Sequence, residues 1–267
     1  MRIASLQFSG SSEIERNLFN IKNGIEEAAS KGAKLLLTQE CALSGYPPIE
    51  TENILSINFS KIENSINQIR GLATKHNIYV AVGSVAKREG EIFNSVIMIS
   101  PHEEDLLPYD KRALWGWDME NYKEGTQKGI YTIDDIKVGI RICFEVRFPE
   151  YFRELFKEQI QIALISFCDV SEVENHSRYE VIKSHLITRA TENVMYVVTA
   201  NSISKHQTAP TIIIDPDGEV KREAKINEPD LLIYDIEKIK LDFGRKGRIV
   251  NSEKLMGPNQ KPNTDSR

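Results

Sequence analysis

Val138-Gly139-Ile140-Arg141-Ile142-Cys143-Phe144-Glu145-Val146-Arg147-Phe148-Pro149-Glu150 is the stretch on which the reading of this chain turns. An apolar run of β character ends in a single thiol, Cys143. Polar residues and a proline follow, then a helix-like segment over residues 149–157. That order puts a small nucleophile at the C-terminal end of a strand, where open α/β sheets place their active sites.

The same alternation extends in both directions. Short β-rich runs are expected at residues 3–8, 34–38, 79–85, 95–99, 161–166, 195–200, 211–214 and 231–236. Helices are expected over residues 14–30, where Ile14, Leu18, Ile21 and Ile25 recur at helical spacing, and over 62–76, 149–157 and 175–193. Gly32 stops the first of them. The turn Asp215-Pro216-Asp217-Gly218, flanked by runs 211–214 and 231–236, has the chemistry of a hairpin. Strands alternating with helices predict an α/β fold of mixed sheets covered by helices. With no internal Gly-, Pro- or Ser-rich linker, one domain over residues 1–255 is expected. A polar tail with Pro258 and Pro262 occupies 256–267.

Composition narrows the function. At 267 residues and 40% hydrophobic, the chain can bury a core without disulfide or metal support. A net charge of −5 argues against nucleic acid or anionic lipid as the main partner. The absence of a long uncharged apolar run predicts no membrane span. Three cysteines and no signal peptide before the first strand favour a reducing, cytoplasmic setting. The five histidines show no zinc spacing, and P-loop, dinucleotide and Gly-x-Ser-x-Gly motifs are missing.

Cys143 needs a base and a stabiliser for the oxyanion formed when a thiolate attacks a carbonyl. Glu40 ends the run Leu35-Leu36-Leu37-Thr38-Gln39-Glu40 and is the candidate base, since partial burial raises a carboxyl pKa toward neutrality. Lys111, in Tyr109-Asp110-Lys111-Arg112, is the candidate fixed positive charge. Each has a plain alternative: a core cysteine, a surface acid and a solvated lysine.

Taken together, these three segments resemble the carbon–nitrogen hydrolase (nitrilase) superfamily, whose signature is a Glu-Lys-Cys triad in that order. The flanks carry the likeness further. Arg147-Phe148-Pro149-Glu150 resembles the segment after the family cysteine, and Ser44-Gly45-Tyr46-Pro47 the loop after its glutamate. Arg189-Ala190-Thr191-Glu192-Asn193 and Asp215-Pro216-Asp217-Gly218 resemble two later family segments. Two places depart from the pattern: Glu145 stands where the family usually has aspartate, and 206–211 lacks the usual His-x-Gly-x-Ser.

The resemblance implies a four-layer αββα sandwich, paired as a homodimer or higher homo-oligomer, with no metal or organic cofactor. It implies that Glu40 is general base, Cys143 nucleophile, and Lys111 with the Phe144 backbone N–H the oxyanion holders. Spacing from Gly125 points to Asp118 as an auxiliary acid, and residue type to Glu120. Tyr46, Trp115, Trp117 and Phe167 are expected pocket walls, because loops after strands carry them. The implied activity is hydrolysis of a small linear amide through a thioester. N-carbamoyl-amide hydrolysis, amide transfer and, from another class, a non-catalytic binding protein are the competing readings. Removal of Lys111 is expected to abolish turnover and leave the fold intact.

Overall fold

The computed structural model describes residues 1–102 and 106–257. Two six-stranded sheets lie face to face. The first runs β14 (Asp230–Asp235), β1 (Arg2–Gln7), β2 (Leu35–Leu37), β3 (Tyr79–Arg88), β4 (Glu91–Ile99), β5 (Tyr109–Asp110). The second runs β13 (Val220–Glu223), β12 (Ile212–Ile214), β10 (Tyr196–Asn201), β8 (Ile162–Phe167), β7 (Ile136–Ile142), β6 (Ile130–Ile133). Each sheet has a parallel centre, β1/β2/β3 and β7/β8/β10, with antiparallel strands at its flanks. A short ladder pairs β9 (Val170–Ser171) with β11 (His206–Gln207).

Strand alternation sorts the core into three layers of side chains. In β2, Leu35 and Leu37 point between the sheets and Leu36 points outward. The outward layer of the first sheet meets α1 (Ile14–Ser30) and α2 (Phe59–His76) through Ile21, Ile25, Ile62 and Ile69. On the second sheet, Ala163, Ile165 and Phe167 meet α4 (Pro149–Lys157) and α5 (His176–Asn193) through Phe152, Leu155, Ile182 and Leu186. Between the sheets lie Ile3, Ala81, Ile140, Ile142, Leu164 and Val198. The result is the expected α-β-β-α layering. Gly139 permits it locally: a Cβ there would lie 2.4 Å from Leu155 Cδ2, so the bare strand lets α4 close down.

Helix ends follow their sequence signals. Asn58 caps α2 by accepting the Lys61 N–H, and Asn77 ends it in the left-handed region. α4 starts with proline in its first turn.

One expectation needs correction, and several elements were not anticipated. The Asp215–Gly218 turn joins β12 to β13 and not to residues 231–236, which cross to the first sheet as β14 beside β1. β13 is a polar edge strand, Val220-Lys221-Arg222-Glu223, without the apolar alternation that marks a half-buried one. β6 and α6 (Phe243–Met256) were not expected either; α6 buries none of its residues, so it carries no apolar stripe to read. Met256, where the expected polar tail begins, is the last residue of α6. Residues 258–267 of the expected tail lie outside the described residues. Among the described residues, no helix is long and apolar enough to cross a membrane.

Candidate active site

Three strand ends from the two sheets converge on one buried cluster. Glu40 follows β2 in a tight turn and is fully buried. Its backbone N–H donates to the Phe167 carbonyl at 3.2 Å, and its Oε2 accepts the Cys168 N–H at 2.8 Å. The carboxylate is thus tied across the sandwich to the end of β8. Oε1 accepts from Asn94 Nδ2 at 2.7 Å and from Lys111 Nζ at 2.8 Å. Burial raises the Glu40 pKa, while Lys111 and Asn94 pull it back and Asp118 adds to the rise.

Gly83, on β3, makes room for this turn. A Cβ there would stand 2.1 Å from the Gln39 carbonyl oxygen and 2.8 Å from Cys41 N, both backbone atoms that no rotamer can move. Gly83→Ala is therefore expected to cost about 2 kcal/mol or more and to displace Glu40, lowering kcat well beyond the stability loss. Thermal melts and turnover of the folded variant check it; unchanged turnover would mean the turn tolerates displacement. Gly125 plays the same part for the lysine loop, where a Cβ would lie 2.2 Å from the Asp110 carbonyl oxygen.

Lys111 follows β5 and is 2% exposed, so its ammonium has essentially no water to satisfy it. Two carboxylates do so instead: Glu40 at 2.8 Å and Asp118 Oδ2 at 2.6 Å. Burial alone lowers the Lys111 pKa, but Glu40, Cys143 and Asp118 outweigh it and hold the ammonium well above its ordinary value. Asp118 sits in α3 (Trp117–Asn121), with its Oδ1 accepting the Tyr46 hydroxyl at 2.5 Å. Glu120 is exposed, two positions further round the same short helix. Of the two candidate auxiliary acids, the structure brings Asp118 to the lysine.

Cys143 opens a 3-10 turn, Cys143–Arg147, directly after β7, and its φ is +45°. A non-glycine residue held there is strained by roughly 1–3 kcal/mol, a cost that surrounding structure must offset. Arg189 helps, its guanidinium donating to the carbonyls of Val146 at 3.1 Å and Arg147 at 3.3 Å. Burial pushes the thiol pKa well up; Glu40 adds to this and Lys111 opposes it. The shift favours the protonated form of the thiol.

The expected pocket walls divide. Tyr46 faces the cluster, its ring centroid 5.8 Å from Lys111 Nζ. Trp115 is 61% exposed and lies 6.1 Å from the ring of Phe144, beside the Cys143 turn. Trp117 packs edge-on to Tyr122, against the core under α1 and α2. Phe167 is no pocket wall: alternation along β8 sends it outward into the α4/α5 core, and only its carbonyl touches Glu40. Both phases of the run 162–167 are largely apolar, with only Ser166 to distinguish them, so its facing was barely readable from sequence.

Sequence reasoning missed Asn94, a polar residue on the buried part of β4 that accepts the Cys41 thiol at 3.7 Å and donates to Glu40. It missed the part played by the Cys168 N–H and by Glu145. Among the described residues, no group of three or more His, Cys, Asp or Glu side chains is placed to hold a metal ion.

Residues 2–241 match the carbon-nitrogen hydrolase family. Among similar proteins, probable hydrolase nit2 of Schizosaccharomyces pombe is 29% identical over 253 residues, covering 87% of this chain and 88% of its own. The 2-oxoglutaramate amidase of Bacillus subtilis is 27% identical over 204 residues, covering 74% and 76%. Among solved structures, an amidase of the nitrilase superfamily from Nesterenkonia sp. AN1 superposes with a TM-score of 0.80 at 21% identity, covering 96% of this chain and 95% of its own. That likeness is one of fold. The chain belongs to the carbon–nitrogen hydrolase family.

Proposed function

We propose that the protein is an amidase, cleaving the C–N bond of a small linear amide through a thioester on Cys143. The observation that carries this reading is the buried Lys111 ammonium, shared by Glu40 and Asp118 and electrostatically coupled to the Cys143 thiol. A structural lysine has no need of two buried acids beside a strained thiol. The names of the relatives, among them an amidase acting on 2-oxoglutaramate, support an amide over a nitrile. Three free cysteines support a cytoplasmic setting, and the family resemblance supports a homodimer.

In the proposed reaction Glu40 takes the Cys143 proton as sulfur attacks the carbonyl carbon. The carbonyl π pair moves onto oxygen, held by the Lys111 ammonium and the Phe144 N–H. That N–H lies in the first turn of Cys143–Arg147, where backbone donors lack acceptors within the helix. Collapse of the intermediate breaks the C–N bond, and protonated Glu40 gives its proton to the departing amine. Glu40 then activates water, which attacks the thioester and releases the acid and the thiol. Asp118 keeps Lys111 charged and aimed throughout.

Two measurements test the reading. Hydroxylamine added during turnover intercepts the thioester, so a hydroxamate is expected alongside ammonia; ammonia with no hydroxamate would remove the acyl-enzyme. The second is the pH profile of kcat/KM. The base form of Glu40 is the competent one and its pKa is raised by burial, so activity is expected to fall with acid above the ordinary carboxylate value of 4.5. Because Lys111 stays protonated well above 10.5, its titration is expected to contribute no loss of activity below that pH. A profile flat down to pH 4 would rule out Glu40 as the base.

A further inference from the structure

Glu145 is fully buried, two residues after the nucleophile, and its carboxylate meets donors from both sheets. Oε2 accepts the Ile142 N–H at 2.7 Å, from the residue before Cys143. Oε1 accepts the Arg112 N–H at 2.7 Å and the Ala113 N–H at 3.4 Å, from the residues after Lys111. The Tyr109 hydroxyl, two residues before Lys111, reaches both oxygens at 2.8 Å. Every one of these donors flanks one of two catalytic candidates that come from opposite sheets.

We infer that Glu145 is a positioning residue that locks the Lys111 loop to the Cys143 turn, holding ammonium and thiol in register across the sandwich. The inference rests on the amidase reading of the same site, because it concerns how that site is assembled.

Three physical points support it. A buried carboxylate costs several kcal/mol unless it is fully hydrogen-bonded, and here every donor comes from the two segments that must be aligned. An apolar side chain of the same size would fill the space but strand three backbone N–H groups. The brace is itself braced: Arg112 and Arg141 both pair with Glu154, at 2.5 and 2.8 Å, and the Arg141 guanidinium lies 5.5 Å from the Tyr109 ring centroid. Lys111 and Cys143 have no covalent proximity to set their spacing, and misplacement on the scale of an ångström costs about a hundredfold in rate.

The test uses the full-length protein and the rate of Cys143 alkylation by iodoacetamide against pH, read by peptide mass. Glu145→Gln keeps the shape but points an N–H₂ at backbone donors. In the folded variant, alkylation at neutral pH is expected to slow about tenfold or more, with the profile displaced to alkaline pH as Lys111 drifts from the thiol. With an amide substrate, kcat is expected to fall while KM stays near its original value. Glu145→Asp, which keeps the charge, is expected to recover part of both. A folded Glu145→Gln with the parent profile would overturn the inference. Should that variant fail to fold, Tyr109→Phe, which deletes one donor to the same carboxylate, decides: an alkaline displacement supports the lock and the parent profile overturns it. Alkylation needs no substrate. A protein inactive on every amide, yet showing Glu145-dependent alkylation, would sink the amidase reading and leave the lock standing.

Discussion

Cys143→Ala is expected to lower amide turnover by a factor on the order of 10⁴ or more while shifting the melting temperature by only a few degrees. The large effect follows from the proposed chemistry, in which without sulfur no acyl-enzyme would form and the oxyanion donors alone could not supply a nucleophile. The small effect follows from geometry. Cys143 is half-buried, so loss of one sulfur leaves little cavity, and alanine inherits the same φ of +45°. The other two thiols are poor substitutes. Cys41 is fully buried and bonded to Asn94, and Cys168 is buried with its backbone engaged by Glu40. Ammonia release by parent and variant across aliphatic amides, dicarboxylic monoamides and N-carbamoyl compounds measures the effect. A variant within tenfold of the parent would place the nucleophile elsewhere.

Lys111→Met is expected to combine loss of turnover with the largest stability loss of any single change at the site, about 3–5 kcal/mol near neutral pH. The sequence alone suggested that removing this lysine would spare the fold. Its burial between two carboxylates argues otherwise, because Glu40 and Asp118 would then face each other without a counter-charge. One of them must take up a proton in the folded state. The sign follows: a group whose folded pKa is raised above its unfolded value stabilises the fold at low pH and loses that contribution as pH rises through the folded pKa. The variant is therefore expected to regain stability as pH falls from 8 toward 5. Urea denaturation across that range checks it. Stability at pH 8 equal to the parent's would mean that the ammonium does not balance both acids.

What could be read in the sequence was what depends on local pattern. The apolar runs that stop abruptly at Glu40 and Cys143 marked strand ends. α1 and α4 begin and end where spacing, proline and glycine place them. Facing and partnership were less legible. Phe167 lies in a run whose two phases are both largely apolar, so alternation shows little of which side it takes. Asp118 and Glu120 are separated only by the rotation of a five-residue helix. Asn94 and Glu145 look like ordinary polar residues in sequence; their importance comes from backbone and side-chain groups 54 and 33 positions away that only the fold brings to them. β13 and α6 carry little or no apolar face, because one is an edge and the other lies on the surface.

The most direct test of the central claim is the mass of the protein during turnover of whichever amide it cleaves. Rapid acid quench followed by peptide analysis is expected to find the acyl group of the substrate on the peptide containing Cys143, appearing before steady state and absent from Cys143→Ala. Cleavage of the amide with Cys143 unmodified at every time point, and at an undiminished rate in Cys143→Ala, would contradict a thiol-dependent amidase.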